Sequence, residues 1–174
     1  MKRIIIALAI SLSTIALSSA AFAAETLKIG SVDIQKVLLL SNSGKEAKEQ
    51  LAQKAAKYEA EKNAKEEELK KLKAELEKQS VLLSETARNT KEKDYQQRLK
   101  EYQRFLKDAQ DDLQAKNDEL TNRIVDEIVK VTQEYGRKNG FTTIFVRSET
   151  MIYLDEKADL TDEVLRLFNT NKKK

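Results

Sequence analysis

The chain lacks four residue types altogether: its 174 residues include no cysteine, no histidine, no tryptophan and no proline. Without cysteine there is neither a disulfide nor a thiol nucleophile, and without histidine the usual general base is missing. A zinc site built from cysteine and histidine is excluded as well. Asp33 lies at the end of a predicted strand, and a turn-capping role suits it better than a catalytic one. We therefore predict a protein without enzymatic activity, cofactor or metal.

With no proline to interrupt it, the region 45–139 is continuous and rich in Glu, Lys, Ala, Leu and Gln, the strong helix formers. Apolar side chains recur along both halves in steps of three and four residues, which is the seam spacing of a coiled coil. The apolar positions of the two seams face each other if the numbers of facing residues sum to 174 or 175. This register predicts that the chain reverses at Ala87 and Arg88. The sequence thus predicts a long antiparallel coiled-coil helical hairpin over residues 45–139, with its tip near 84–90.

Residues 1–23 have the three parts of a secretory signal peptide. Two basic residues open the segment, an apolar stretch follows, and residues 21–23 form a small-residue cleavage site. A membrane anchor is the alternative, but serines interrupt the apolar stretch and no cysteine follows it for lipid attachment. We therefore predict export, with the mature chain beginning at Ala24.

The two ends of the mature chain, residues 24–44 and 140–174, supply a small body outside the arm. Residues 27–33 have the composition of a strand, and residues 141–146 and 151–154 that of two strands joined into a hairpin. Three strands with so little cover are marginal as an isolated fold, whereas association of several copies would bury their edges. We expect the core of this body, or an interface between copies, to contain Ile29, Val32, Ile144, Phe145 and Ile152.

Local signals mark where the helices begin and end. Ser43 and Glu46 have the spacing of a capping box, which predicts that the arm begins there. A basic last turn followed by Gly140 predicts its end. Asp159 and Thr161 offer caps for a final helix, whose apolar side consists of Val164, Leu165 and Phe168. The predicted fold is mainly α-helical, with the arm inserted into a small β-sheet body that joins the copies.

Segments 28–33, 35–38, 43–47 and 159–164 surround the long hairpin in a particular order. In that order and spacing, the whole mature chain resembles the Skp/OmpH family of periplasmic chaperones. The resemblance implies a homotrimer whose small barrel-like body carries three helical arms around a cavity for unfolded outer-membrane proteins. It also implies an ATP-independent holdase in the periplasm of a Gram-negative bacterium, with no catalytic or cofactor residues.

Two other classes of function remain open on the residues alone. A secreted coiled coil also suits a structural adaptor of the cell envelope that binds one folded partner. A hydrolase within the body is the third class, and the missing histidine and cysteine argue against it. Suppression of the aggregation of a denatured outer-membrane porin separates the chaperone from the other two.

Charge is distributed unevenly along the arm. Residues 62–107 contain 13 basic and 9 acidic side chains, whereas residues 108–138 contain 5 basic and 8 acidic ones. This difference favours contact between the outer arm and anionic clients or an anionic lipid surface, although a solvated helix with chance fluctuation explains it as well. The residues expected to make such contacts at the tip are Arg88, Lys91, Lys93 and Arg98.

Four aromatic residues of the arm, Tyr58, Tyr95, Tyr102 and Phe105, have basic neighbours in the sequence. Aromatic and basic residues also occur together in proteins that stack nucleic-acid bases. The three tyrosines fall on the hairpin seam, so packing between the helices accounts for them better. Because the chain is also predicted to be exported, we predict no nucleic-acid partner.

Polar residues interrupt the seam midway along the arm, most notably three lysines within a few turns of one another. An exposed ion pair contributes about 0–1 kcal/mol, whereas a buried leucine contributes about 1.5–3 kcal/mol. This section is therefore expected to be looser and to act as a hinge that adapts the arm to clients of different size, although ordinary coiled-coil imperfection is an equal explanation. The expected hinge consists of Tyr58, Lys62, Lys65, Ala109, Leu113 and Lys116.

Overall fold

A computed structural model describes residues 27–79 and 84–171, so the predicted signal peptide lies outside the described residues. The described chain is mainly helical and has a small two-stranded sheet, which confirms the predicted fold class. In chain order the elements are β1 (Ile29–Val32), α1 (Ile34–Leu40), α2 (Asn42–Gln79), α3 (Glu85–Lys138), β2 (Thr143–Val146), a short 3-10 turn (Glu156–Ala158) and α4 (Thr161–Asn171).

Helices α2 and α3 form the arm, with 38 and 54 residues, or about 57 and 81 Å at 1.5 Å per residue. The hydroxyl of Ser84 caps α3 by accepting a hydrogen bond from the Ala87 N–H at 3.4 Å. The chain therefore reverses between Gln79 and Glu85. The reversal predicted at Ala87 and Arg88 is wrong, because both residues lie in the first turn of α3.

Since the tip lies earlier than the predicted 84–90, the register of the two helices also changes. Lys91 pairs with Glu75 at 3.0 Å, and the Tyr102 hydroxyl donates to Glu66 at 2.5 Å. In the observed register the numbers of facing residues sum to 166 and 168, whereas the predicted register has sums of 174 and 175. The predicted register is therefore wrong by about one heptad. A heptad seam looks the same after a shift of seven residues, and therefore the apolar pattern could not separate these two registers.

The corner between α1 and α2 is held by serine and glycine. The Ser41 hydroxyl accepts a hydrogen bond from the Gly44 N–H at 3.1 Å and thereby caps α2. The capping box predicted at Ser43 is wrong, because Ser43 is buried and is already the second residue of α2. Gly44 lies so close to α1 that a Cβ atom there would be 1.7 Å from the Leu38 carbonyl oxygen. Only glycine fits this position without moving one of the helices.

The two strands are parallel, with Ile29 opposite Thr143 and Val32 opposite Val146. Parallel strands need a long crossover connection, and here α1 and the whole arm serve as that connection. The arm ends where predicted, because α3 stops at Lys138 and Gly140 adopts the left-handed conformation with φ of 67°.

The predicted hairpin between residues 141–146 and 151–154 is wrong. Residues 151–154 form no strand, and β2 pairs with β1 instead. The chain after β2 crosses to the opposite edge of β1, where Asp159 forms a parallel bridge with Ser31. The composition of residues 151–154 predicted a strand. A segment forms a strand only beside a partner, however, and the path of the connections decides which partner it meets.

The hydrophobic core joins both ends of the chain to the base of the arm. Val164 and Phe168 are almost completely buried, and Leu165 packs beside them, which confirms the predicted apolar side of α4. The buried apolar side chains of this core are Val32, Val37, Ala47, Leu120, Ile124, Ile128, Leu160, Val164 and Phe168.

The five residues expected in the core or at an interface have different environments. Val32 is buried, and Ile144 is half-buried against the core. Ile29 and Phe145 are 48% and 52% exposed, and Ile152 is 101% exposed. Within one chain these last three side chains lie outside the core, and their role between copies stays a prediction.

Polar contacts tie the N-terminal segment to the start of α4. The Asp33 carboxylate accepts a hydrogen bond from the Lys36 N–H at 2.8 Å, which confirms its predicted capping role. The Asp33 N–H donates to the Thr161 hydroxyl at 2.9 Å, and the Asp159 carboxylate accepts from the Thr161 N–H at 2.9 Å. Lys36 and Asp162 form an ion pair at 2.8 Å. These contacts align β1 with α4 across the body.

The corner at Gly44 supplies a test of the fold. Gly44→Ala should lower the free energy of unfolding by about 1–3 kcal/mol, because the methyl group overpacks the contact with the Leu38 carbonyl. Urea denaturation followed by circular dichroism measures this change. Glu46→Ala alters an exposed side chain one half-turn away and should stay within about 0.5 kcal/mol of the wild type. Equal stability of all three proteins would show that α1 and α2 are not in close contact here.

Candidate functional site

The sheet presents an uncovered apolar edge. Strand β2 pairs with β1 on one side, and no strand of the described chain pairs with its other side. Phe145 and Val146 on β2 are more than half exposed. Beside them lies a groove of about 300 Å³ between β2 and the end of α3, lined by apolar side chains that include Ile34, Val129 and Phe141. An unpaired strand edge of this kind is a template for pairing with another chain.

A second apolar surface lies in the loop after β2. Ile152 is 101% and Tyr153 81% exposed. The loop is closed at its base by an ion pair between Arg147 and Asp159 at 3.0 Å, while the Ser31 hydroxyl donates to the Met151 sulfur at 3.8 Å. The segment with strand composition is therefore held at the body by half-buried Met151 and Leu154, with Ile152 and Tyr153 directed to solvent.

The four basic residues predicted at the tip divide into two pairs. Lys91 and Arg98 each form an ion pair with a glutamate of α2, at 3.0 and 3.4 Å. They therefore join the two helices of the arm. Arg88 and Lys93 are exposed in the outermost turns of α3. Of the four, these two present their charge most openly near the tip.

Midway along the arm, a tyrosine and a carboxylate join the helices. The Tyr58 hydroxyl of α2 donates to the Asp112 carboxylate of α3 at 2.5 Å, and Lys54 forms an ion pair with the same carboxylate. The pKa of Asp112 is lowered from its ordinary value, first by the hydrogen bond from Lys54 and then by that from Tyr58. Hydrogen bonding to Asp112 raises the pKa of Tyr58 in turn. Asp112 is therefore held as a carboxylate that links the two helices.

A second tyrosine joins the helices in the opposite direction, with the hydroxyl on α3 and the carboxylate on α2. Tyr102 of α3 donates to Glu66 of α2, and this hydrogen bond raises the pKa of Tyr102. The predicted position of Tyr58 and Tyr102 between the helices is confirmed, since both are half-buried there. Sequence reasoning missed the hydroxyl partners, although carboxylates near a tyrosine on a seam are a usable signal.

The three lysines of the predicted hinge do not link the helices through ion pairs. Lys62, Lys65 and Lys116 form ion pairs with glutamates of their own helices, at 3.0, 3.5 and 2.8 Å. The Lys65 ammonium also lies 5.2 Å from the centre of the Phe105 ring, and that ring meets Tyr58 edge-on at 6.0 Å. The packing between helices at this level thus depends on aromatic rings and lysine stems.

Two kinds of feature are missing from the described residues. Within residues 27–79 and 84–171, no three or more acidic side chains are grouped so that they could hold a metal ion. Over the same residues, no helix has the length and apolar character needed to cross a membrane.

The chain resembles known proteins over most of its length. The family described as outer membrane protein (OmpH-like) matches residues 28–168. An uncharacterized protein of Aquifex aeolicus (strain VF5) is 31% identical over 141 residues, which cover 81% of this chain and 85% of that protein. The crystal structure of a candidate outer membrane chaperone (OmpH-like) from Caulobacter crescentus CB15 superposes with a TM-score of 0.78 at 16% identity. It covers 83% of this chain and 85% of that one, so the two share a fold.

The mid-arm environment leads to a prediction about local stability. Amides in residues 60–65 and 103–109, which face each other, should exchange with deuterium faster than those in residues 69–76 and 92–99, because lysine stems replace apolar packing at the first pair of segments. Native-state hydrogen exchange of the mature protein measures this difference.

The leucine variants provide the matched comparison. Replacing both Lys62 and Lys65 by leucine should slow exchange in the middle of the arm and leave the base unchanged. Uniform exchange along the wild-type arm, or slowest exchange at its middle, would rule out the hinge.

Proposed function

Since the chain belongs to the OmpH-like family, we propose that it is an ATP-independent holdase chaperone of the periplasm that binds unfolded outer-membrane proteins. The observation that carries this proposal is the arm. Two helices of about 57 and 81 Å extend from a body whose one small core involves only their base. Such an arm adds surface without adding a catalytic pocket, so binding rather than chemistry is the role that it supports.

The physical task of a holdase matches this geometry. An unfolded outer-membrane protein exposes apolar segments and unpaired strand edges, which aggregate in water. Long arms can surround such a chain and keep it away from other unfolded chains. Many weak contacts suit clients of varied sequence better than one specific pocket does. Nothing in this task requires nucleotide hydrolysis.

Self-association is the second part of the proposal. The open edge of β2, with Phe145 and Val146 exposed, needs a partner. The segment 151–154, in which Ile152 and Tyr153 are exposed, has the composition of a strand. Pairing of this segment in one copy with β2 of the next would cover both apolar surfaces. It would also return to the sheet the third strand that a single chain lacks. We propose that three copies close into a ring in this way, with the arms around one cavity.

The exposed charges of Arg88 and Lys93 support a subsidiary role for the tip. They suit contact with anionic clients or with lipid headgroups of a membrane surface. A structural adaptor that binds one folded partner remains the alternative function, and the long hairpin alone is compatible with it. The two functions differ in whether an unfolded protein is kept from aggregating.

Aggregation of a denatured porin tests the chaperone function directly. When urea-unfolded outer-membrane porin is diluted into buffer, an equal or greater amount of the mature protein should strongly reduce light scattering, and ATP should make no difference. The same amount of a folded globular protein of similar size is the control. Scattering that matches this control would exclude the holdase function and leave the adaptor.

A charge on the open edge tests the assembly. Phe145→Asp should convert the oligomer to monomers, because burying an unpaired carboxylate between copies costs several kcal/mol. Static light scattering at micromolar concentration measures the mass. Gln103→Asp places the same charge on the exposed arm and should leave the oligomer intact. A wild-type monomer would exclude the cage, and an unchanged mass of Phe145→Asp would show that β2 is not an interface.

A further inference from the structure

The middle of the arm contains an apolar groove that the packing of the two helices leaves open. Its volume is about 450 Å³. Leu106 is the one large apolar side chain in the described parts of α2 and α3 that is exposed, at 37%. The groove is lined from α2 by Ala55, Tyr58, Glu59 and Lys62, and from α3 by Phe105, Leu106, Ala109, Gln110, Leu113 and Gln114. We call this surface the Leu106 groove.

The groove exists because the two helices are unequal at this level. Helix α3 supplies Phe105, Leu106 and Leu113, whereas α2 supplies Glu59 and Lys62 in positions where apolar side chains would complete the packing. The ammonium of Lys62 is turned toward Glu59, at 3.0 Å. A lysine stem can cover apolar surface while its charge stays in water. Phe105 packs against Tyr58, whereas Leu106 has a lysine stem beside it instead of an apolar partner on α2.

We propose that the Leu106 groove is a client-binding site that receives an extended segment of an unfolded chain, with an aromatic or large aliphatic side chain placed between Leu106 and Leu113. This inference rests on the proposed chaperone function and assigns the place of contact on the arm. The lysine stem moves aside when the client side chain enters.

The length of the groove indicates which kind of partner can bind in it. Ala55 and Lys62 are seven residues apart, which is about 10 Å along the helix. A stable interface with a folded partner or with a second arm needs about 800 Å² from each side, far more than a groove of this length offers. One or two side chains of an extended chain fit it. Because Lys62 is neutralised by Glu59 at the rim, the groove does not select strongly for the charge of its occupant.

Two glutamines on the rim suit the backbone of such a segment. Gln110 and Gln114 are four residues apart on α3 and both exposed, so they lie about 6 Å apart along the helix. In an extended chain, groups on the same side repeat every two residues, or about 6.6–6.8 Å. The Gln114 amide donates one hydrogen bond to Asp118 at 2.8 Å. The remaining donors and acceptors of the two amides can bond either backbone group. Strands of outer-membrane barrels alternate apolar and polar side chains, which directs every second side chain to the groove.

Photocrosslinking locates the client. A benzophenone amino acid is placed either at Gln110 or at Lys57, which lies on the opposite, polar side of the arm and lines a separate groove with Gln53 and Lys116. With urea-unfolded outer-membrane porin as the client, adducts should form several times more efficiently at Gln110 than at Lys57. Equal yields would overturn the proposal. Adducts between two copies of the chain at Gln110 in the absence of porin would show that a second arm occupies the groove, and would overturn it as well.

Affinity supplies an independent measurement. Leu106→Gln keeps a helix-forming side chain and should raise the Kd for unfolded porin about three- to tenfold, as expected for the loss of one partly buried leucine contact. Lys57→Gln is the matched control and should leave the Kd unchanged. Circular dichroism melting verifies that both variants keep the arm.

The outcomes separate this inference from the proposed function. If the wild type suppresses porin aggregation but Leu106→Gln binds as tightly as the control, only the groove is wrong. If the wild type itself does not suppress aggregation, the chaperone function is wrong, and the inference that rests on it is wrong as well. Weaker binding by Leu106→Gln with an unchanged melting curve supports both.

Discussion

The parallel pairing of β1 with β2 is the constraint on which the rest of the structure depends. Ile29 through Val32 lie opposite Thr143 through Val146, so the chain must leave one strand and come back to the start of its neighbour. An uninterrupted helical hairpin satisfies this requirement, since it returns the chain close to its starting point whatever its length. The arm can therefore be long while the body stays small.

The side chains of the arm are less buried the farther they lie from the pairing of β1 with β2. Leu120, Ile124 and Ile128 are completely buried where the base of α3 meets α1 and α4. Beyond Ala109, toward the tip, no residue of the described arm is buried. Two helices alone cannot surround a side chain, so the outer arm is joined by half-buried seam residues and by links such as Tyr58 to Asp112. The surface left uncovered by this arrangement is the surface available to a client.

Uncovered surfaces lie in the body, at the edge of β2 and in the loop after it, and also in the middle of the arm and at its tip. No one of them has the enclosed shape or converging polar groups of a small-molecule site. The apolar edge of β2 suits another strand, the Leu106 groove suits single side chains, and the tip suits negative charge. A protein that binds varied unfolded chains needs this kind of distributed surface, because each weak contact can be exchanged for another.

The sequence by itself determined the features that depend on local chemistry. The helical composition and seam spacing predicted the hairpin, Gly140 its end, Asp33 a cap and Val164 with Phe168 the buried side of α4. These depend on neighbours within one or two turns, which a linear pattern records. The basic tip and the lysines of the seam were also evident, whereas the Leu106 groove was not.

Only the tertiary structure decided the register of the arm, the partner of β2 and the exposure of Ile152 and Tyr153. A seam repeats every seven residues, so several registers bring the same kinds of side chain together. The place where the chain reverses determines which of these registers forms. Strand composition does not reveal which strand pairs with which, because pairing depends on the path of the connections. The Leu106 groove arises for the same reason: Lys62 and Leu106 meet only in the register that the reversal between Gln79 and Glu85 sets.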